Sequence, residues 1–417
     1  MSAIQVYTIN DAVRLNVLED KRFKTVHVSV DMLVPLCEET AAVYGVLTRI
    51  VTRATREYPD YTKLSQKLAE LYGATLDCSI TKLGGCQVLS LFAQGIAGRY
   101  AFDGEDMVKE LSALLFSILS EPLRTPDGNL PEDGFLQEKR QVLEVFDSEF
   151  NDKIHYAHKR AEEILFEGKP EGLNRYGTRA QVEALTLPQV SGAWEKLLRS
   201  AKFEVFVMGD CHPDPELFRK AFASFGTPLT YAPQNLVAAE LKDVKEEMPL
   251  AQSKLVMGFS ADAQYGKSDD FKLMSAVFGG TPSSKLFANV REKMSLCYYC
   301  SSSFDANTHT MFVQSGVETE NIEKAREAIL AQLEEIKAGR ITEEEIDSAK
   351  LAVGNAYRSV NDSLTAVENW YLSQCFRPEV RSPEEAAASI AAVSKEEIVA
   401  AANRVSLNTV YTLKGNA

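Results

Sequence analysis

The chain has 417 residues, 45% hydrophobic and 25% charged, enough material for about two to four domain-sized units. A formal net charge of −14 excludes the basic footprint of a nucleic-acid groove, and no apolar run approaches the about 18 residues of a membrane-spanning helix. Seven cysteines at irregular spacing suit reduced thiols, and the opening MSAIQVYTINDAVRL lacks a signal-peptide pattern, so a cytoplasmic location is expected.

In chain order, KTVHVSVDML alternates as a strand should. YGVLTRIV follows as an apolar helix with Thr48 and Thr52 one turn apart. LSQKLAELYG has helical spacing, CQVLSLFAQGI reads as a strand, and EDMVKELSALLFSILSEP and GFLQEKRQVLEVFDSEF read as helices. The second half runs similarly. KLVMGFSAD is a strand, DDFKLMSAVFGG and SSKLFANVREK are helices, and CYYCSSSF and HTMFVQSGV are strands. Two long helices follow, ENIEKAREAILAQLEEIKAG and EEEIDSAKLAVGNAYRSVND, whose acidic side chains suit solvated helix faces.

The halves superimpose at an offset of roughly 205 to 220 residues, far longer than a solenoid period. EDGFLQEKRQVLEVFDSEFND aligns with TEEEIDSAKLAVGNAYRSVND, both closing on Asn-Asp, and FEVFVMGD aligns with NTVYTLKG. ELYGATLDCS parallels EKMSLCYYCS, each followed by a strand pair and a helix. The expectation is an α+β protein of two homologous halves, 1–225 and 247–417, joined by a Pro-containing linker at 226–246. Each half is expected to hold a mixed or antiparallel sheet with helices on one face.

These words, together with RAEEILFEGKPEGLNRYGT, VFVMGDCHPD and FGGTPSSKLFANVREKMSLCYY, resemble the insulinase, pitrilysin and mitochondrial processing peptidase family over nearly the whole chain. That family carries the inverted zinc motif H-x-x-E-H: two His at i and i+4 hold the metal and the Glu is the base. The resemblance places Thr48 and Thr52 at the two His positions and Val51 at the base. It places Val145 at the third ligand on the later helix, with Glu144 beside it. Hydroxyl and valine side chains cannot replace imidazole and carboxylate, so the resemblance implies a degenerate, non-catalytic member with no metal or other cofactor of its own. It further implies a partner, either a homologous zinc-bearing subunit or a second copy, and a peptide substrate. Within the family the likeness extends to the degenerate half of bacterial pairs associated with aminopentanol modification of elongation factor P. The other reading is a scaffold or peptide-binding protein with no part in proteolysis.

The family also carries an Arg and a Tyr that hold substrate, and VREKMSLCYY keeps them as Arg291 and Tyr298. The alternative for this pair is an exposed helix-end cation and a core aromatic. His155 and His158, with Glu162 beyond them, could share a helix face, though flanking Lys and Arg favour a solvated surface; His27, His212 and His309 stand alone. Cys297 and Cys300 form a C-x-x-C, but on a strand positions three apart point to opposite faces. GGTPSSKLF lacks phosphate-loop order and suits a helix start near Ser283 or Ser284.

Overall fold

The computed structural model describes residues 4–102, 104–236 and 240–416. Residues 237–239, within the segment expected to be the linker, and residues 1–3 of the opening stretch lie outside the described residues. Two compact units emerge, Met1–Asp147 with Leu173–Tyr231, and Ser148–Gly172 with Ala232–Ala417.

The first unit holds six strands: β1 (Gln5–Asn10), β2 (Val13–Glu19), β3 (Thr25–Pro35), β4 (Thr75–Leu83), β5 (Cys86–Ile96) and β6 (Lys202–Gly209). They lie in the order β1-β2-β6-β3-β5-β4, antiparallel except for the β2–β6 pair. Period-two alternation along β3 sends Val26, Val28, Val30, Met32 and Val34 into the core. The helices Glu38–Val51, Met107–Ser120 and Leu187–Ser200 contribute to the same core. Trp194 is fully buried there, its indole Nε1 donating to the Leu119 carbonyl at 3.0 Å. Several intervening residues of the sheet are polar yet buried, among them Asn16, His27, Ser29, Asp31 and Glu204. Glu204 accepts from Arg14 Nε at 2.8 Å and Asn16 Nδ2 at 2.9 Å, and also from Lys202. At the β4–β5 hairpin Gly84 has φ +56, and a Cβ there would collide with the Tyr231 ring, so glycine is required.

The second unit holds β7 (Lys242–Met248), β8 (Ser253–Ala261), β9 (Cys297–Asp305), β10 (Thr310–Val317) and β11 (Val405–Gly415). Their order is β7-β11-β8-β10-β9, with only β7–β11 parallel. Apart from the added edge strand β1, this repeats β2-β6-β3-β5-β4 of the first unit position for position, including the one parallel pair. The segments FEVFVMGD and NTVYTLKG fall on β6 and β11, the equivalent strands. The paired helices Glu132–Ser148 and Glu343–Ser359 both run into a short 3₁₀ turn at the matching Asn-Asp.

Two features divide differently in space from the sequence. Residues 242–246, within the expected linker, begin β7; its KDVKEEM composition is that of a charged edge strand and so reads as polar. The helix Lys153–Leu165, from the first half of the chain, belongs to the second unit. There Tyr156, Ala157 and Ala161 pack with Val256, Phe312, Tyr411 and Leu413. Those strand residues alternate with Leu255, Met257, Met311, Val313 and Val410, which face the unit's main core. The helix therefore covers the reverse face of the second sheet. No helix among the described residues is long and apolar enough to cross a membrane.

Candidate functional site

The helix Glu38–Val51 opens on Glu38 and Glu39 and closes on Arg49, charges that complement its dipole. Gly45 allows the Tyr176 ring to approach, since a Cβ would sit 3.0 Å from Tyr176 Cδ1. Thr48 is fully buried and its Oγ1 donates back to the Tyr44 carbonyl at 3.4 Å. Val51 is also buried. Thr52 is the C-cap; its Oγ1 donates to the Arg49 carbonyl at 2.9 Å and lies 3.8 Å from Cys78 Sγ. Both hydroxyls are thus engaged with their own helix.

On the helix Glu132–Ser148, Val142 is buried but Val145 is 46% exposed. Glu144 turns outward to Arg140, with Oε1 3.5 Å from Nε. The buried acid of this helix is Glu138, held by Arg53 Nη1 at 3.0 Å. Among the described residues no three His, Cys, Asp or Glu side chains gather in metal-holding range. The residues that the family resemblance puts at zinc positions do not fit zinc: two hydroxyls committed to carbonyls and two valines offer neither a ligand set nor a base.

Arg291 and Tyr298 do come together. Arg291 lies on the π-helical segment Leu286–Lys293, its guanidinium 4.5 Å from the Phe287 ring centroid and its Nε donating to the Tyr298 carbonyl at 2.9 Å. Wide helical turns of this kind often accompany functional sites. Tyr298 is 60% exposed, and its hydroxyl donates to Glu318 Oε1 at 2.5 Å. That bond holds the proton on the phenol and raises its pKa. With Ser295, Leu296, Cys297 and Glu318 they line an open pocket of about 430 Å³.

The Peptidase M16 inactive domain model matches residues 184–353. The chain is 27% identical over 407 residues to the probable inactive metalloprotease YmfF of Bacillus subtilis strain 168, covering 96% of this chain and 95% of that protein. Among solved structures, a conserved protein from Enterococcus faecalis V583 superimposes with a TM-score of 0.90 at 29% identity, over 100% of this chain and 99% of the other. An M16 inactive domain from Pseudomonas fluorescens shares the fold, with a TM-score of 0.78 at 15% identity over 99% and 98% of the two chains. The chain is thus similar to the M16 inactive domain over residues 184–353 and, over nearly its whole length, to a probable inactive metalloprotease.

The C-x-x-C of this chain departs from the expected strand geometry. Val317 pairs with Cys297 and Gly316 with Tyr299, so Tyr298 is the extra residue of a β-bulge. Cys297 and Cys300 consequently share the buried face. A hydrogen bond from Cys300 lowers the Cys297 pKa, and the same contact, with burial, raises that of Cys300. The bulge also places Tyr298 on the surface rather than in the core.

The helix bearing His155 and His158 is not a wholly solvated face. His155 is exposed, but His158 packs edge-on against Phe312 at 4.7 Å. His309, read as an isolated residue, is buried at φ 53 with Nδ1 2.5 Å from Asn235 Oδ1. His27 is buried and stacks on Phe92, whereas His212 is exposed and lies 3.0 Å from Glu19. Ser284 is buried, and Ser283 Oγ lies 3.2 Å from Thr281 Oγ1, in the turn before the Arg291 segment. Sequence reasoning missed Glu318 and Phe287. Phe287 stands four residues before Arg291, a legible helical spacing; Glu318 is brought in only by strand pairing.

Proposed function

We propose that this chain is the non-catalytic subunit of a two-chain zinc peptidase, pairing in the cytoplasm with a homologue whose H-x-x-E-H helix is intact and contributing Arg291 and Tyr298 to grip an extended peptide. The observation that carries the reading is a contrast within one chain. The metal positions hold Thr48, Val51, Thr52 and Val145, while the Arg and Tyr expected to hold substrate line one open pocket. Arg291 spends Nε on the Tyr298 carbonyl and holds Nη1 3.3 Å from Glu292 Oε1, which fixes the fork, so Nη2 is the nitrogen that would donate to a peptide carbonyl. Tyr298 donates to Glu318, so its oxygen can accept a peptide N–H. Both contacts address backbone, and recognition of this kind tolerates many peptide sequences. Bond cleavage belongs to the partner, and this chain supplies orientation.

Reconstitution with a zinc-bearing homologue tests the proposal. Arg291→Ala with Tyr298→Phe is expected to lower kcat/KM of the pair about tenfold or more, the worth of one to two hydrogen bonds, without changing its zinc content. Unchanged turnover would refute substrate contact and leave a scaffold. Recovery of the chain from cells only as a lone monomer would refute the pairing, and recovery as a homodimer would replace the partner with a second copy.

A further inference from the structure

Within the second unit a cavity of about 200 Å³ is lined by Lys272, Asp305, Tyr357, Trp370, Arg377 and Arg381, among others. Lys272 comes from the helix Asp269–Ser275, Arg377 from the turns after the helix Leu364–Leu372, and Asp305 from the end of β9. Separate elements converge here, so the site is built by the fold rather than by a local run of charge.

The charges lining it are unequally satisfied. Arg381 clamps Asp269 with two bonds of 2.6 and 2.9 Å. Asp305 accepts from the Asn307 backbone N–H at 2.8 Å and from Thr308 Oγ1 at 3.1 Å, so its carboxylate is engaged with its own turn. Lys272 and Arg377 form no ion pair among the described residues, and Arg377 Nε is buried without a hydrogen-bond partner. Three cations face two carboxylates, which leaves the cavity one positive charge in excess. Burial pushes the Lys272 and Arg377 pKa values down, the signature of charges removed from water without full compensation. With Arg381 paired to Asp269, Lys272 and Arg377 share the single Asp305 carboxylate, and such partly buried cations short of one counter-charge are costly.

We propose that this cavity binds a small oxyanion, its oxygens held between the Lys272 ammonium and the Arg377 guanidinium. The ammonium offers a point charge and the guanidinium a planar fork, a donor set suited to phosphate or carboxylate oxygens. Tyr357 and Trp370 meet edge to face at 4.8 Å, and the indole N–H is committed to the Arg381 carbonyl at 2.8 Å. The indole therefore presents an apolar wall, and charge recognition falls to the cations. The site shares no residue with the Arg291–Tyr298 pocket, so it stands or falls independently of the proposed peptidase role.

The test is calorimetric titration of the full chain with inorganic phosphate and, separately, with acetate, each against sodium chloride of equal ionic strength. Saturable binding of at least one anion is expected, with Tm rising as its concentration rises. Binding should weaken at least about tenfold in both Lys272→Met and Arg377→Gln. Saturation by phosphate alone assigns a phosphoryl ligand, and by acetate alone a carboxylate. In chloride buffer each neutral variant is expected to melt within a few degrees of the wild type or above it, since it removes an unpaired buried charge. Absence of saturable binding by either anion, equal binding by the variants, or collapse of a variant in chloride buffer would overturn the proposal.

Discussion

Thr48 is a well-fitted residue of its helix rather than a fault in it. Its hydroxyl is satisfied by the Tyr44 carbonyl and its methyl fills a fully buried position. Thr48→Val is therefore expected to change stability by less than about 1 kcal/mol in urea unfolding. Thr48→His, a substitution toward the H-x-x-E-H motif of the family the sequence resembles, forces an imidazole into close packing and is expected to cost about 1–3 kcal/mol. The helix that carries Thr48 and Val51 was legible because helical spacing is written in the sequence itself. The cysteine geometry was not, because a bulge is defined by the partner strand. A consequence concerns reactivity: Cys300 stabilises the Cys297 thiolate, whereas burial pushes Cys78 up to about 11 and Cys211 up to about 12. Mass spectrometry of limited iodoacetamide labelling at neutral pH is expected to find Cys297 modified ahead of those two. Cys300→Ala removes the donor, so the Cys297 pKa should rise and its labelling slow.

Among the elements, the helix Lys153–Leu165 departs most from a sequence reading. Its apolar residues were visible, but which sheet they cover depends on a chain path that periodicity does not encode. Its polar anchor is Glu246 of β7, which accepts from Tyr156 at 3.0 Å, Tyr411 at 2.9 Å and Arg160 Nε and Nη2 at 3.1 and 2.9 Å. Burial alone would raise the Glu246 pKa, but these donors outweigh it and the net shift is downward. A depressed carboxylate pKa contributes stability that is present above the unfolded value, about 4.3, and is lost as pH falls through the lower folded value. Glu246→Gln is expected to lose about 1–3 kcal/mol at neutral pH and to flatten the acid limb of a stability–pH curve. Equal acid limbs in variant and wild type would remove Glu246 from this role. The edge strand β7 was hidden for a related reason: its outward charges resemble a loop until β11 supplies the parallel ladder.

For the whole molecule, the duplication was legible because three matched words kept their order, and the strand orders of the two units repeat that match. The polar cluster on the first sheet was not legible, since Arg14, Asn16, Lys202 and Glu204 meet only when β2 pairs with β6. Removing the acid in Glu204→Ala strands the Lys202 and Arg14 charges and is expected to cost about 3–5 kcal/mol in chemical denaturation. A chain with this fold that carries hydroxyls and valines where the family resemblance puts metal ligands and base should be unable to retain the ion by itself. The most direct measurement is the zinc content of the isolated full-length chain after equilibration with excess zinc and desalting. Well under one ion per chain, unaffected by Thr48→Val, is the expected result; one tightly retained zinc that is lost on substituting Thr48 or Thr52 would contradict it.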